Sequence, residues 1–277
     1  MPDRSGRPSA GEARGAGTVG KALAVLDQVA GYGRPVRFAE VQRDSPFPKA
    51  TLYRLIQTLT SQGMLRLDPE SGTYALGVRL VRLAHAAWHT TSLAPIARPH
   101  IDALSAELGE TVHLAQLDHG QVLYVDKRNA TVPVRMYSQA GKVGPAYCTG
   151  VGKAMMAFLP APDLEDTIAQ QSFHRFTPNT LTDRASLLRD LAAIRDRGHA
   201  FDDEEHEAGI ICLAVPILTD GRQVLGAISV TATSARRSLD ELGELAPALR
   251  AAARKIATEA SAWRFPDRAA EPLATTG

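Results

Sequence analysis

Pro48-Lys49-Ala50-Thr51-Leu52-Tyr53-Arg54-Leu55-Ile56-Gln57-Thr58-Leu59 is the stretch on which the reading of this chain turns. Leu52, Leu55, Ile56 and Leu59 recur at i, i+3, i+4 and i+7. That spacing makes one apolar stripe on a helix that starts beside Pro48 and is stopped by Gly63. The opposite face carries Lys49, Ala50, Tyr53, Arg54 and Gln57, crowded toward the N-terminal half. A recognition helix puts that end into the major groove, where side chains reach base edges and phosphates. Arg54 can pair with a guanine or a phosphate, and Gln57 can read adenine. Lys49 and Thr51 suit phosphates at a helix start, and Tyr53 can donate to a phosphate or pack on a thymine methyl.

The flanks support that assignment. Upstream, Leu23, Val25, Leu26, Val29 and Ala30 mark a helix from about Val19, ended by Gly31 and Gly33. A short segment from Val36 to Val41 follows, and Asp44-Ser45-Pro46-Phe47-Pro48 breaks the chain. Downstream, Met64–Asp68 and Gly72–Leu76 read as two strands around the turn Pro69-Glu70-Ser71-Gly72. Arg66 on this hairpin is placed to touch a DNA backbone. Three helices and a hairpin in this order make a winged helix-turn-helix. Taken singly, each outward residue of the third helix is an ordinary solvated side chain. Their combination with the helix order and hairpin points to DNA.

Charge agrees with this. The chain of 277 residues has a net charge of +1, but residues 1–90 hold 12 Lys/Arg against 7 Asp/Glu. The basic excess therefore lies where the DNA-reading helix does. Hydrophobic residues make up 44% and charged residues 22%, which excludes a largely disordered chain. No apolar run is long enough to span a bilayer, and the first twenty residues lack the apolar stretch of a secretory signal. Only Cys148 and Cys212 are present, so a reducing cytoplasmic setting is expected, with no membrane partner.

Beyond the hairpin, Leu80, Val81, Leu83, Ala84 and Ala87 form a helical stripe without a turn signal, read as a linker helix. A helix runs from about Pro95 to Leu108, then strands at Thr111–Leu117, Val122–Asp126 and Val132–Tyr137. Helices are expected at Thr149–Phe158, Pro162–Gln170, Thr182–Arg197 and Leu239–Ala262, and strands at Ile210–Leu218 and Val224–Thr231. The expected fold is α+β: a winged helix-turn-helix joined by a helical linker to a larger mixed α/β domain, large enough to enclose a small ligand. The boundaries are a disordered leader at 1–16, the DNA-binding domain at 17–78, the linker at 79–92, the larger domain at 93–265 and a flexible tail at 266–277.

Pro48-Lys49-Ala50-Thr51-Leu52-Tyr53-Arg54-Leu55-Ile56, with Gly63, Tyr74, Leu76 and Gly77, resembles the DNA-binding segment of the IclR family of transcriptional regulators. Ala50 stands where that pattern has Ser, and the stretch from Phe38 to Ser45 departs from it. The resemblance continues in Tyr147-Cys148-Thr149-Gly150-Val151-Gly152-Lys153-Ala154. It extends through Arg195–Pro216 and Ala227-Ile228-Ser229-Val230-Thr231. It implies a regulator, a repressor of a catabolic operon, that binds double-stranded operator DNA as a homodimer or homotetramer and responds to a small effector. It makes the larger mixed α/β domain at 93–265 an effector-binding domain and assigns effector contacts to Met136, Gly150, Val151, Asp202, Cys212, Ser229 and Thr231.

The residues themselves favour a carboxylate effector, an organic or sugar acid. Small residues at the helix start near Gly150 leave backbone N–H groups open to an anion. Ser229 and Thr231, two apart on a strand, direct both hydroxyls to one side. By composition alone Cys212 is a small core residue, and the run Asp202–Glu207 is a solvated acidic loop with one or two members turned to the pocket.

The rival is a metal-dependent hydrolase or another enzyme fused to a winged helix, using Glu205, His206 and a cysteine, or Asp202, His206 and a cysteine around a metal. No H-x-x-x-H, C-x-x-C or G-x-S-x-G spacing supports it, so neither catalysis, metal nor cofactor is expected. Gly15–Lys21 has the glycine and lysine spacing of a phosphate loop, but Ala22 lacks the magnesium-binding hydroxyl and no apolar strand precedes it. Gly152-Lys153-Ala154 fails the same test.

Overall fold

The computed structural model describes residues 17–131 and 136–262. The expected leader at 1–16, the tail at 266–277 and most of the strand expected at Val132–Tyr137 lie outside the described residues. The chain divides between Thr90 and Thr91 into two compact units.

The first unit runs α1 (Thr18–Gly31), β1 (Val36–Arg37), α2 (Phe38–Asp44), α3 (Lys49–Ser61), β2 (Leu65–Asp68), β3 (Thr73–Leu76) and α4 (Val78–Thr91). Its small antiparallel sheet has the order β1-β3-β2. The stripe Leu52, Leu55, Ile56 and Leu59 is buried against Val25 and Val29 of α1, Val41 of α2 and Tyr74 of β3. Each such side chain contributes about 1.5–3 kcal/mol on full burial. The turn into α2 is held by Glu40, which accepts from the Arg37 backbone N–H at 2.9 Å and from Arg34 at 2.6 Å. Tyr32 donates to Asp44 at 2.7 Å and ties the end of α1 to the end of α2.

The second unit runs α5 (Ala94–Leu108), β4 (Thr111–Asp118), β5 (Gln121–Arg128), β6 (Val143–Pro145), α6 (Gly150–Met156), α7 (Ala161–Ala169) and α8 (Arg184–Arg197). It continues with β7 (Ala200–Asp203), β8 (Ile210–Leu218), β9 (Val224–Thr233), α9 (Leu239–Gly243) and α10 (Ala246–Ala262). The six strands form one sheet in the order β6-β5-β4-β9-β8-β7, with every pair antiparallel. Helices α5 and α10 pack on each other and on the sheet. Helix α6 lies over the sheet face that carries Cys212 and Ala214.

Three expectations about elements are corrected. Leu239–Ala262 is two helices, because Pro247 has no N–H to donate and its ring would meet the carbonyl of Gly243 in a continuous helix. Met136 and Tyr137 belong to no strand, and the β5 edge is instead closed by β6. The expected solvated loop begins as strand β7, whose pairing of Asp202 with Cys212 turns the carboxylate into the protein.

Candidate functional site

Two surfaces carry the chemistry, one in each unit. On α3 the buried stripe leaves Lys49, Ala50, Tyr53, Arg54 and Gln57 exposed and Thr51 half-buried. Arg66 is exposed on β2. Tyr53 is braced edge-on by Phe38 of α2, with ring centroids 5.9 Å apart. Among the described residues none of Lys49, Arg54 and Arg66 has an ion-pair partner, so all three charges are available to phosphates.

The second surface is a small, partly open cavity built by strand register. Residues paired across an antiparallel sheet share a face. Asp202, Cys212, Thr231 and Thr111 form one row across β7, β8, β9 and β4. Ala214, Ser229 and His113 form the next row. The start of α6 covers these rows, and the cavity between them is lined by Thr149, Gly150, Val151, Asp202, Cys212, Ser229 and Thr231, together with His113, Tyr124 and Ser138. His206, Glu207 and Ile210 complete it. Its free space is about 30 Å³. Six of the seven residues assigned to the effector therefore meet in one place. Met136 is buried but does not line this cavity.

Its polar groups are organised around His113. Thr231 Oγ1 lies 3.3 Å from His113 Nδ1, and Ser138 Oγ lies 2.9 Å from His113 Nε2. Burial first, then nearby Lys127, pushes the imidazole down to about 3, so it is neutral at ordinary pH. The ring meets Tyr124 edge-on at 5.5 Å. Tyr137 donates its backbone N–H to Glu207 at 3.0 Å, and its ring meets His206 at 5.3 Å. The short segment at 136–138 is thereby pinned across the cavity from His113 to the 206–207 loop.

Asp202 is the buried carboxyl of the site. Burial, and then Glu205, raises its carboxyl to about 7. Its Oδ1 accepts the Glu205 backbone N–H at 2.8 Å. Glu205, also buried, accepts from the Lys153 ammonium, which reaches Asp190 at 2.7 Å. Arg197 meets Asp190 from the other side at 3.3 Å. Burial opposes the charge on Lys153, but Glu205 and Asp190 outweigh it and raise the lysine. The lysine of Gly152-Lys153-Ala154 is thus a buried ion-pair centre that supports the cavity wall.

At the start of α6 the backbone packs directly on strand β8. The Cys212 sulfur lies close against Gly150, which has no side chain to keep the strand away. Burial raises the thiols of both cysteines, so neither is a thiolate nucleophile. Among the described residues no group of three His, Cys, Asp or Glu side chains is arranged to hold a metal ion. Sequence reading missed His113, Tyr124, Ser138, Ile210 and the Lys153 pairing, and left open which one or two members of the Asp202–Glu207 run face the pocket. The alternation in Thr111–Asp118 places His113 with Thr111 and Ala115, but only register shows that this side meets Ser229 and Thr231.

Comparison with known proteins assigns a family to both units. Residues 18–69 match the IclR helix-turn-helix domain, and residues 85–258 match the family described as bacterial transcriptional regulator IclR C-terminal. The chain is 31% identical over 219 residues to the HTH-type transcriptional regulator XynR of Escherichia coli (strain K12), covering 79% of this chain and 87% of that protein. It is 30% identical over 238 residues to the transcriptional repressor IclR of the same organism, covering 85% and 87%. The crystal structure of the Thermotoga maritima IclR superposes with a TM-score of 0.71 at 27% identity, over 87% of this chain and 98% of that one. Among the described residues no helix is long and apolar enough to cross a membrane.

Proposed function

Because the chain belongs to the IclR family of bacterial transcriptional regulators, we propose that it is a ligand-responsive repressor of a catabolic operon whose effector is a small carboxylate, an organic or sugar acid. The observation that carries this reading is the convergence of buried polar side chains, Ser229, Thr231, His113 and Asp202, on one small, partly open cavity. Buried polar groups are costly unless paired, and here the hydroxyls and a carboxyl raised to about 7 by burial can all donate to an anion. The free space of about 30 Å³ holds little beyond a water-sized body, so an organic acid enters by displacing the 136–138 segment or the His206–Glu207 turn. That displacement is the step at which ligand binding favours one arrangement of the chain over another, as any response requires.

Lys49, Ala50, Thr51, Tyr53, Arg54, Gln57 and Arg66 form the operator-reading surface in this proposal. Each chain has one reading helix, so tight operator binding calls for two chains on a two-fold site, in a homodimer or homotetramer. The relatives are named as regulators and repressors, which leaves the fused-enzyme reading without support.

The test uses the full chain. Calorimetric titration with a panel of small organic and sugar acids, alongside neutral analogues, identifies binders, and operator binding is then measured with each. Acids that bind without turnover and lower operator affinity are expected. Binding confined to neutral compounds, or turnover of a bound acid, would overturn the proposal. Sedimentation on the same preparation should show a dimer or tetramer, and a strict monomer with and without DNA contradicts the assembly.

A further inference from the structure

A second cavity, of about 290 Å³, opens where β8 runs on past the end of β7. It is lined by Arg195 and Gly198 at the end of α8, Arg250, Ala253 and Arg254 on α10, Arg222 of the β8–β9 hairpin, and the apolar side chains of Phe158, Pro216 and Leu218. Four guanidinium groups share this lining with no carboxylate. Among the described residues none of the four has an ion-pair partner, although arginines elsewhere in this unit pair with acids at Asp126, Glu165, Asp190 and Glu110.

Backbone capping accounts for two of these arginines. Arg195 Nε donates to the carbonyl of Ala157 just past α6, and Arg250 Nη1 lies 3.5 Å from the carbonyl of Arg197 at the end of α8. It accounts for neither Arg222 nor Arg254. Arg222 sits in the left-handed region, with φ of 60°, a conformation that L-residues adopt at a cost. The hairpin nevertheless puts arginine there, and its guanidinium lies over the Phe158 ring at 5.2 Å from the centroid. Like charges gathered without a counter-charge repel one another, and an anion that binds between them removes that repulsion.

We propose that this cleft is a second ligand site, which binds the phosphate group of a small phosphate monoester. The guanidinium fork matches phosphate oxygens two at a time, and a doubly charged group with three free oxygens can engage several arginines where a carboxylate engages one or two. Phe158, Pro216, Leu218 and Ala253 supply the apolar wall for the organic part. The site lies apart from the cavity over Ser229 and Thr231, and the two share no lining residue.

Phenyl phosphate is the probe. It is titrated calorimetrically into the full chain at constant ionic strength set with chloride, so that general screening is equal throughout. Saturable binding is expected at one site per chain. Arg222→Gly removes the guanidinium while its positive φ suits glycine, so the hairpin keeps its shape. This variant, and Arg254→Gln on the exposed face of α10, should each weaken binding by at least about tenfold. The Ser229→Ala/Thr231→Val variant should bind the probe as the parent does. Absence of saturable binding to the parent, binding unchanged in both arginine variants, or loss of binding in the Ser229/Thr231 variant would each overturn the site.

Discussion

A Cβ atom on Gly150 would fall well inside 3.0 Å of the Cys212 sulfur, so the start of α6 and strand β8 touch through a glycine and a thiol. This contact sets the depth at which the helix lies over the sheet and therefore the floor of the cavity. Gly150→Ala should cost about 1–3 kcal/mol through overpacking. Cys212→Ala in the same chain should return part of that loss, because the two residues are in contact and their effects are not additive. Urea denaturation of the parent, both single variants and the double variant checks this. Strict additivity would show that the clash is relieved elsewhere.

Lys153 is buried between Glu205 and Asp190. Lys153→Met keeps the bulk and removes the ammonium, which leaves Glu205 buried without its counter-charge. A loss of about 3–5 kcal/mol is expected, as for other broken buried pairs. Adding Glu205→Leu should restore a substantial part. Denaturation midpoints measure both, and a single-variant loss under about 1 kcal/mol would mean that the pair contributes no more than a surface bridge.

Asp202 and His113 give opposite pH slopes to stability. Burial raises Asp202 to about 7, so between the unfolded carboxyl value near 4 and pH 7 the native chain holds a proton that the unfolded chain has shed. Its stabilising contribution is therefore full in acid and is lost as pH rises through about 7. His113, pushed down to about 3, does the reverse: the unfolded chain binds a proton below about 6.5 that the native chain refuses, so stability is lost as pH falls. Asp202→Asn removes the first slope and leaves the second. Relative to the parent, the variant should lose about 1.4 kcal/mol more per pH unit on acidification from about 6.5 to 4. Equal pH profiles would contradict the buried, protonated state of Asp202.

Ser229 and Thr231 are both buried at the cavity, and Thr231 also bonds to His113. Ser229→Ala/Thr231→Val nearly conserves volume and suits a strand, so the chain should fold and bind operator DNA. Effector affinity should fall by about 1–3 kcal/mol for each charge-assisted bond removed. Unchanged effector affinity in the folded double variant would falsify the proposed contacts.

On the DNA side, Arg54→Ala should weaken operator binding by about 1–3 kcal/mol and relax base preference at one position. Lys49→Ala should weaken operator and random DNA alike and flatten the salt dependence. Fluorescence anisotropy with both DNAs at several salt concentrations separates the two. Parent-like binding by both variants would remove α3 from the interface.

The winged helix-turn-helix was legible because its signals are local. The stripe of α3 has the helical period, Gly63 and Pro48 bound it, and burying Leu52, Leu55, Ile56 and Leu59 leaves Lys49, Tyr53, Arg54 and Gln57 no side but the outside. The break in Leu239–Ala262 was also written in the chain, at Pro247, but the apolar pattern on either side hid it.

The proposed effector cavity was legible only in pieces. Ser229 and Thr231 could be placed on one strand face from period two alone, and the family resemblance picked out Gly150, Asp202 and Cys212. His113 was not legible, since β4 and β9 are more than a hundred residues apart in the chain and their register has no local mark. The acidic run from Asp202 to Glu207 was read as solvated because composition does not reveal a counter-charge. Lys153 lies 52 positions from Glu205, and only the packing of α6 against the β7 end of the sheet brings the ammonium to that carboxylate. Periodicity, caps and turns therefore determined the elements and the reading face of α3, because each depends on neighbours within a few residues. Which polar side chains share one buried space was decided by strand register and by the close approach of Gly150 to Cys212, which depend on contacts that exist only once the sheet has closed.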